Sequence, residues 1–150
     1  MFDFLFHSKR SAVKRFMSSR VNRSVLDQMR VGNRDVFRSA YCEVVWMVPC
    51  DDNARSLEFD KVYPAVTRDI CPTGLSLILN EPLATKKVVV GIDSESGRTF
   101  FRCVPEHCTE LGHGFYQIGL YLEEIIEVDP TDLDVAEKSV EQAAGEMATA

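Results

Sequence analysis

Nothing in this 150-residue sequence stays apolar for long. No run reaches the 18 or more residues that a membrane-spanning helix needs. The apolar stretch near the start, "FLF", is far too short for a signal-peptide core, and basic residues follow it at once. A cytoplasmic protein is therefore expected. Cysteine does not supply a disulfide framework either: five residues, an odd number at irregular spacing, fit reduced thiols. A nucleophilic cysteine needs a base beside it. Cys71 has Arg68 nearby but no histidine that the sequence places next to it. No nucleic-acid recognition motif accompanies the basic residues. A non-enzymatic protein with no cofactor and no nucleic-acid partner is the expectation.

What the chain does have is charge segregated by position. The formal net charge of −6 combines +6 over residues 1–38, where nine Lys/Arg face three acids, with −12 over the rest. A basic arm on an acidic body suits an anionic partner, or else lies on the body's own acidic surface. Within the arm, residues 9–30 read as a helix. Val13, Met17, Val21, Val25 and Met29 recur every four residues, and Phe16 and Leu26 widen the stripe. Gly32 and Asn33 stop it. Such a stripe packs on its own domain or docks on a protein partner. Phe2, Phe4 and Phe6 either cover the domain or form a partner-binding patch.

From residue 40 the pattern turns to strands. "AYCEVVWMVP", "SLEFDKVYPAV", "GLSLIL", "KKVVVGI", "TFFRCV" and "GFYQIGLYL" are short, β-branched or aromatic, and separated by turn residues such as "NEP" and "DSESG". Six such strands predict a small antiparallel barrel or sandwich, and barrel closure removes exposed sheet edges. Trp46 and Phe59 are expected in its core. "DPTDLDVAEKSVEQAA" then predicts a short helix with Thr131 as its N-cap, and the final "GEMATA" is expected to fray.

Two stretches carry recognisable chemistry. Arg30, Arg34 and Arg38 stand at four-residue intervals in "RVGNRDVFR". In a linker their planar forks can grip phosphate or a guanine edge. The same spacing also suits solvated surface arginines. "DICPTG" puts Asp69, Cys71 and Gly74 at the start of a strand. The carboxylate can accept from the N–H edge of guanine, and Gly74 allows close approach or positive φ. An Asp bonding its own turn is the plainer alternative. Cys103, His107, Cys108 and His113 spell C-x3-H-C-x4-H, but that spacing matches no common zinc module and Cys103 falls in an alternating strand, so no metal is expected.

Together, an Arg-x-x-x-Arg linker, two strands and an Asp-x-Ser-x-x-Gly-like turn resemble the PilZ domain family. Cys71 stands where that family usually has serine. "DICPTGLSLIL", "VVVGI" and "FFRCVPEHCTELGHGFYQIGLYL" extend the likeness over about residues 30–127. The resemblance implies an all-β fold, a six-stranded antiparallel barrel with the arginine linker at 30–38; the basic helix segment (1–29) before it and the short helical acidic tail at 128–150 lie outside the resemblance. It also implies binding of the bacterial second messenger cyclic di-GMP, with Arg34 and Arg38, or Arg30 and Arg34, as a clamp and Asp69, Cys71 and Gly74 as a platform. On that reading the ligand orders the linker and repositions the basic helix against a protein partner. An adaptor that binds no nucleotide and acts through protein contacts is the alternative.

Overall fold

The computed structural model describes residues 9–18, 28–29, 38–40, 42–50 and 57–149. Helix α1 covers 9–18. Then come β1 (Gln28–Met29), β2 (Arg38–Ala40), β3 (Val44–Pro49), a 3-10 turn (Phe59–Lys61), β4 (Tyr63–Cys71), β5 (Gly74–Leu79), β6 (Val88–Ser94), β7 (Gly97–Gly112), β8 (Phe115–Ile126) and α2 (Pro130–Thr149). Strands β3 to β8 pair antiparallel in the order β4–β3–β6–β7–β8–β5, and β5 returns to β4. The result is the expected closed six-stranded barrel with a helix at either end of the sequence.

Alternation sorts the side chains. Leu75, Leu77 and Leu79 of β5 join Met47, Val90 and Phe101 in the barrel interior, so Ser76 and Ile78 face outward. The interior also takes in Val13 and Met17 of α1, which are 2% and 1% exposed. A helix can enter a closed barrel only through an open end, so α1 plugs one. Phe16 meets Phe101 edge to face at 5.0 Å between ring centroids. Lys9 Nζ lies 2.6 Å from Glu124, which also pairs with Arg102. The described turns of the basic helix thus pack on the chain's own body, through both their apolar stripe and a basic residue.

The second helix covers the outside. Trp46, Val48, Val89 and Phe100 face away from the interior and pack with Phe59, Val62 and Ala136, with Leu133 and Val140 of α2 against them. Ser139 Oγ of α2 donates to the Asp60 carbonyl at 2.9 Å. Trp46 and Phe59, expected inside the barrel, are instead buried between its wall and α2. The guanidinium of Arg98 lies 3.3 Å over the Trp46 ring.

Four local expectations change. Gln28 and Met29 pair with Ser39 and Arg38, so the four-residue apolar repeat does not stay helical to residue 30; strand pairing overrides it. Val21, Val25, Leu26, Gly32 and Asn33 lie outside the described residues, as do Phe2, Phe4 and Phe6. The expected strand from Ser56 is instead, over its described residues, an isolated bridge of Leu57 to Cys50 and then the 3-10 turn, and the strand starts only at Tyr63. Asp129, not Thr131, caps α2: its Oδ1 accepts the Thr131 N–H at 2.8 Å, leaving Pro130 at the first helical position. The helix continues through Thr149 rather than fraying at Gly145.

Because Met17 fills barrel interior, Met17→Ala should lower unfolding free energy by about 2–5 kcal/mol in denaturant titration. Glu124 gives a pH test. Burial disfavours its ionised form, but the Lys9 hydrogen bond and the charges of Arg102 and Lys9 outweigh that and hold its carboxyl below the usual value. Its stabilising contribution is complete above the unfolded-state pKa, about 4.3 for glutamate, and is lost as pH falls through the lower folded value. Glu124→Gln should therefore flatten the fall in melting midpoint below about pH 4.3.

Candidate functional site

The strand register brings the last residue of the arginine motif beside the second motif. β3 pairs with β4 from Val44↔Val66 to Met47↔Tyr63, and β2 takes up the same edge of β4 with Ser39↔Ile70 and Ala40↔Asp69. β2 and β3 are thus two halves of one interrupted strand. The interruption is anchored by Thr67, whose N–H donates to the Glu43 carbonyl at 2.9 Å while its Oγ1 accepts the Glu43 N–H at 2.8 Å. Carried one step further, the β2 register sets the Arg38 backbone level with Cys71. Arg38, the last residue of the arginine ladder, therefore sits in β2 beside the "DICPTG" turn. Arg30 and Arg34 lie outside the described residues.

A β-bulge decides which side chains face out. Thr67 opposes Leu77 and Asp69 opposes Ser76, so Arg68 is the extra residue on β4. Thr67 and Ile70 are buried; between them, both Arg68 and Asp69 turn to the outer surface. Arg68 donates to Gln117 Oε1, reaching from β4 over β5 to β8.

Three cross-strand rows build this outer face. One runs Val66, Ile78, Gln117, Thr109; the next Asp69, Ser76, Gly119, His107; the third Cys71, Gly74, Tyr121, Val104. In the middle row Gly119 carries no side chain, and the His107 ring lies over it: a Cβ there would meet Cε1, Nε2 and Nδ1 at 2.3, 2.6 and 2.9 Å. Ser76 is fully buried despite facing outward, and its Oγ has no hydrogen-bond partner among the described residues.

Asp69, Cys71 and Gly74 are thus brought to one face, with different roles. Asp69 is half-buried. Cys71 is 5% exposed and its Sγ lies 3.6 Å from Thr73 Oγ1 across the Pro72–Thr73 turn. Gly74 is a glycine for a different reason than expected. Its φ is not positive, and the close approach it allows is to the chain itself, since a Cβ would stand 2.3 Å from the Leu120 carbonyl oxygen of β8. The ring of strands closes there.

The C-x3-H-C-x4-H residues do not converge. Cys103 is inside the barrel, its thiol donating to the Phe101 carbonyl at 3.4 Å, and burial pushes that thiol well up from its usual pKa. His107 is on the outer face, and His113 occupies a left-handed position (φ 55°) in the β7–β8 turn. Among the described residues no group of three or more potential metal ligands forms.

The middle row, with Ser76, Gly119 and His107, was not singled out from sequence. Alternation in "GLSLIL" places Ser76 outward, but only the register shows that it opposes Asp69. The two glycines separate by substitution. Gly74→Ala, which drives a methyl into backbone, should cost about 1–3 kcal/mol or more in thermal or denaturant unfolding. Gly119→Ala first meets the His107 ring, which can rotate away, so it should cost less, and the His107→Ala background should relieve most of that cost.

No protein-family model matches the chain, and no curated protein does. Among solved structures it is similar to K. pneumonia MrkH in its apo state, with a TM-score of 0.41 and 18% identity, covering 80% of this chain and 55% of that one. The chain thus spans about half the length of MrkH.

Proposed function

We propose that this chain is a PilZ-type receptor for cyclic di-GMP, cytoplasmic and non-enzymatic, whose ligand lies on the outer face between the arginine segment and the middle row of the barrel. The observation that carries this reading is the β2 register on β4. It sets the backbone of Arg38, the end of the arginine ladder, beside Asp69, Cys71 and Gly74, which follow it by 31 to 36 residues in the sequence. A bis-guanylate has phosphates and guanine edges to satisfy at once. Arginine forks suit the first, and a carboxylate suits the N1–H and N2–H2 edge of the second. In this reading Arg34 and Arg38 form the clamp, with Arg30 the other candidate member. Asp69 meets a guanine, and Gly74 serves the platform by closing the wall beneath it.

Cys71 then weakens binding without abolishing it. A thiol is a poorer donor and acceptor than a hydroxyl. Loss of one neutral hydrogen bond is worth about 0.5–1.5 kcal/mol, at most roughly tenfold in affinity. The output is a changed contact with a protein partner, driven by charge-assisted bonds that gather the arginine segment onto the barrel.

Calorimetric titration with cyclic di-GMP, with GTP as control, tests the proposal. Saturable binding at micromolar affinity or better is expected. Arg34→Ala and Arg38→Ala should each cost about 1.5–3 kcal/mol. Absence of heat and of a thermal shift at high ligand would leave the alternative, an adaptor that acts through protein contacts alone. Equal affinity in wild type and the double variant would remove the clamp.

A further inference from the structure

Among the described residues, two polar side chains are fully buried in the barrel wall, Thr67 and Ser76. They differ in what their hydroxyls do. Thr67 Oγ1 accepts from the Glu43 N–H at 2.8 Å and sits 3.2 Å from the Glu43 carbonyl, to which it donates. That hydroxyl holds the interrupted strand in register. Ser76 Oγ, by contrast, makes no hydrogen bond among the described residues. Buried hydroxyls in folded proteins are nearly always partnered, and an unpartnered one opposes folding through its lost hydration. The barrel would be at least as stable with alanine at 76, so the fold supplies no use for this oxygen.

Its position suggests one. Ser76 points away from the interior, directly opposite Asp69 on β4 and opposite Gly119 on β8. Directly opposed residues have Cβ atoms about 4.5–5.5 Å apart, so a planar ring whose edge meets the Asp69 carboxylate passes beside Ser76. We infer that Ser76 is a ligand-contacting residue of this face, supplying the hydroxyl that the thiol of Cys71 does not. This inference rests on the cyclic di-GMP reading and adds a residue to it. A hydroxyl both donates and accepts, so it can take a guanine N–H or give its proton to O6, whereas the Asp69 carboxylate only accepts. Cys71, two residues along the same face, lies against Thr73 at 3.6 Å.

Access comes from the Gly119 side. Gly119 itself carries no Cβ, and the nearest atoms above it among the described residues are those of the His107 ring. Rotation of that side chain opens the row without moving backbone. An incoming ring replaces the imidazole and meets Ser76 and Asp69 together.

The test is titration of cyclic di-GMP into the wild type, Ser76→Ala, Ser76→Cys and Asp69→Ala, with each protein's melting midpoint measured without ligand. Ser76→Ala should keep or raise the unliganded midpoint and weaken binding about 3- to 10-fold. Ser76→Cys, which retains the volume, should weaken it similarly. If both bind like wild type while Asp69→Ala is impaired, the Ser76 inference is overturned and the receptor reading stands. A lowered unliganded midpoint for Ser76→Ala overturns it as well, because the hydroxyl would then serve the fold. Failure of the wild type itself to bind overturns both.

Discussion

Closing six antiparallel strands into a ring requires β5 to pair on both edges, with β4 on one side and β8 on the other. That closure depends on Gly74, where the β8 backbone comes so near that no Cβ fits. Once the ring is shut, alternation divides every strand between a small apolar interior and an outer surface. The interior is filled by wall residues plus Val13 and Met17 from α1. The outer surface over β3 and β6 is filled by α2. The face over β4, β5, β8 and the far half of β7 carries instead Asp69, Ser76, Gly119 and His107, and the candidate site is there.

The bulge at Arg68 gives that face its chemistry. Regular alternation after Thr67 would set Asp69 inward, where an ionised carboxylate is costly to bury. One extra residue restores Asp69 to the surface and adds Arg68, which ties β4 to β8 through Gln117. The same segment holds β2 on its other edge. A single irregularity thus orients a carboxylate beside the strand that ends the arginine ladder. The cation-rich arm and the acidic body, opposite in formal charge, meet at Lys9–Glu124.

Much of this was legible in the sequence, for reasons that differ by element. "GLSLIL" alternates so cleanly that β5 begins and ends where its turn residues predict. "DSESG" makes its turn, with Ser94 Oγ donating to the Gly97 carbonyl at 2.7 Å. The four-residue stripe of α1 correctly marks Val13 and Met17 as buried, yet period alone cannot tell that Met29 belongs to a strand pair. Trp46 was legible as buried but not as lying on the outside of the wall, because a strand covered on both faces has no polar side to reveal which is which; Phe59, also legible as buried, lies in the 3-10 turn rather than in a strand. The C-x3-H-C-x4-H spacing was misleading in the opposite sense. Regular alternation would put Cys103 and His107, four residues apart, on the same side of the sheet; the bulge between Pro105 and His107 sends them to opposite sides, and a linear spacing does not record that. The Asp69–Ser76–Gly119–His107 row was illegible because its members come from four strands and meet only through register.

The burial of α1 also bears on how a ligand could produce an output. Undocking the helix would expose Val13 and Met17, each worth about 1.5–3 kcal/mol of apolar burial, and would leave the barrel end unfilled. That is a large share of the 5–15 kcal/mol that stabilises a typical domain. A ligand shifts an equilibrium only by its difference in affinity for the two states. Binding at micromolar strength totals about 8 kcal/mol, and most of it is needed for capture itself. Release of the helix is therefore an expensive response. A rearrangement confined to the arginine segment, between the paired residues Met29 and Arg38, disturbs none of the barrel's described core. For the proposed receptor, the cheapest response to a ligand therefore leaves α1 in place as part of the fold.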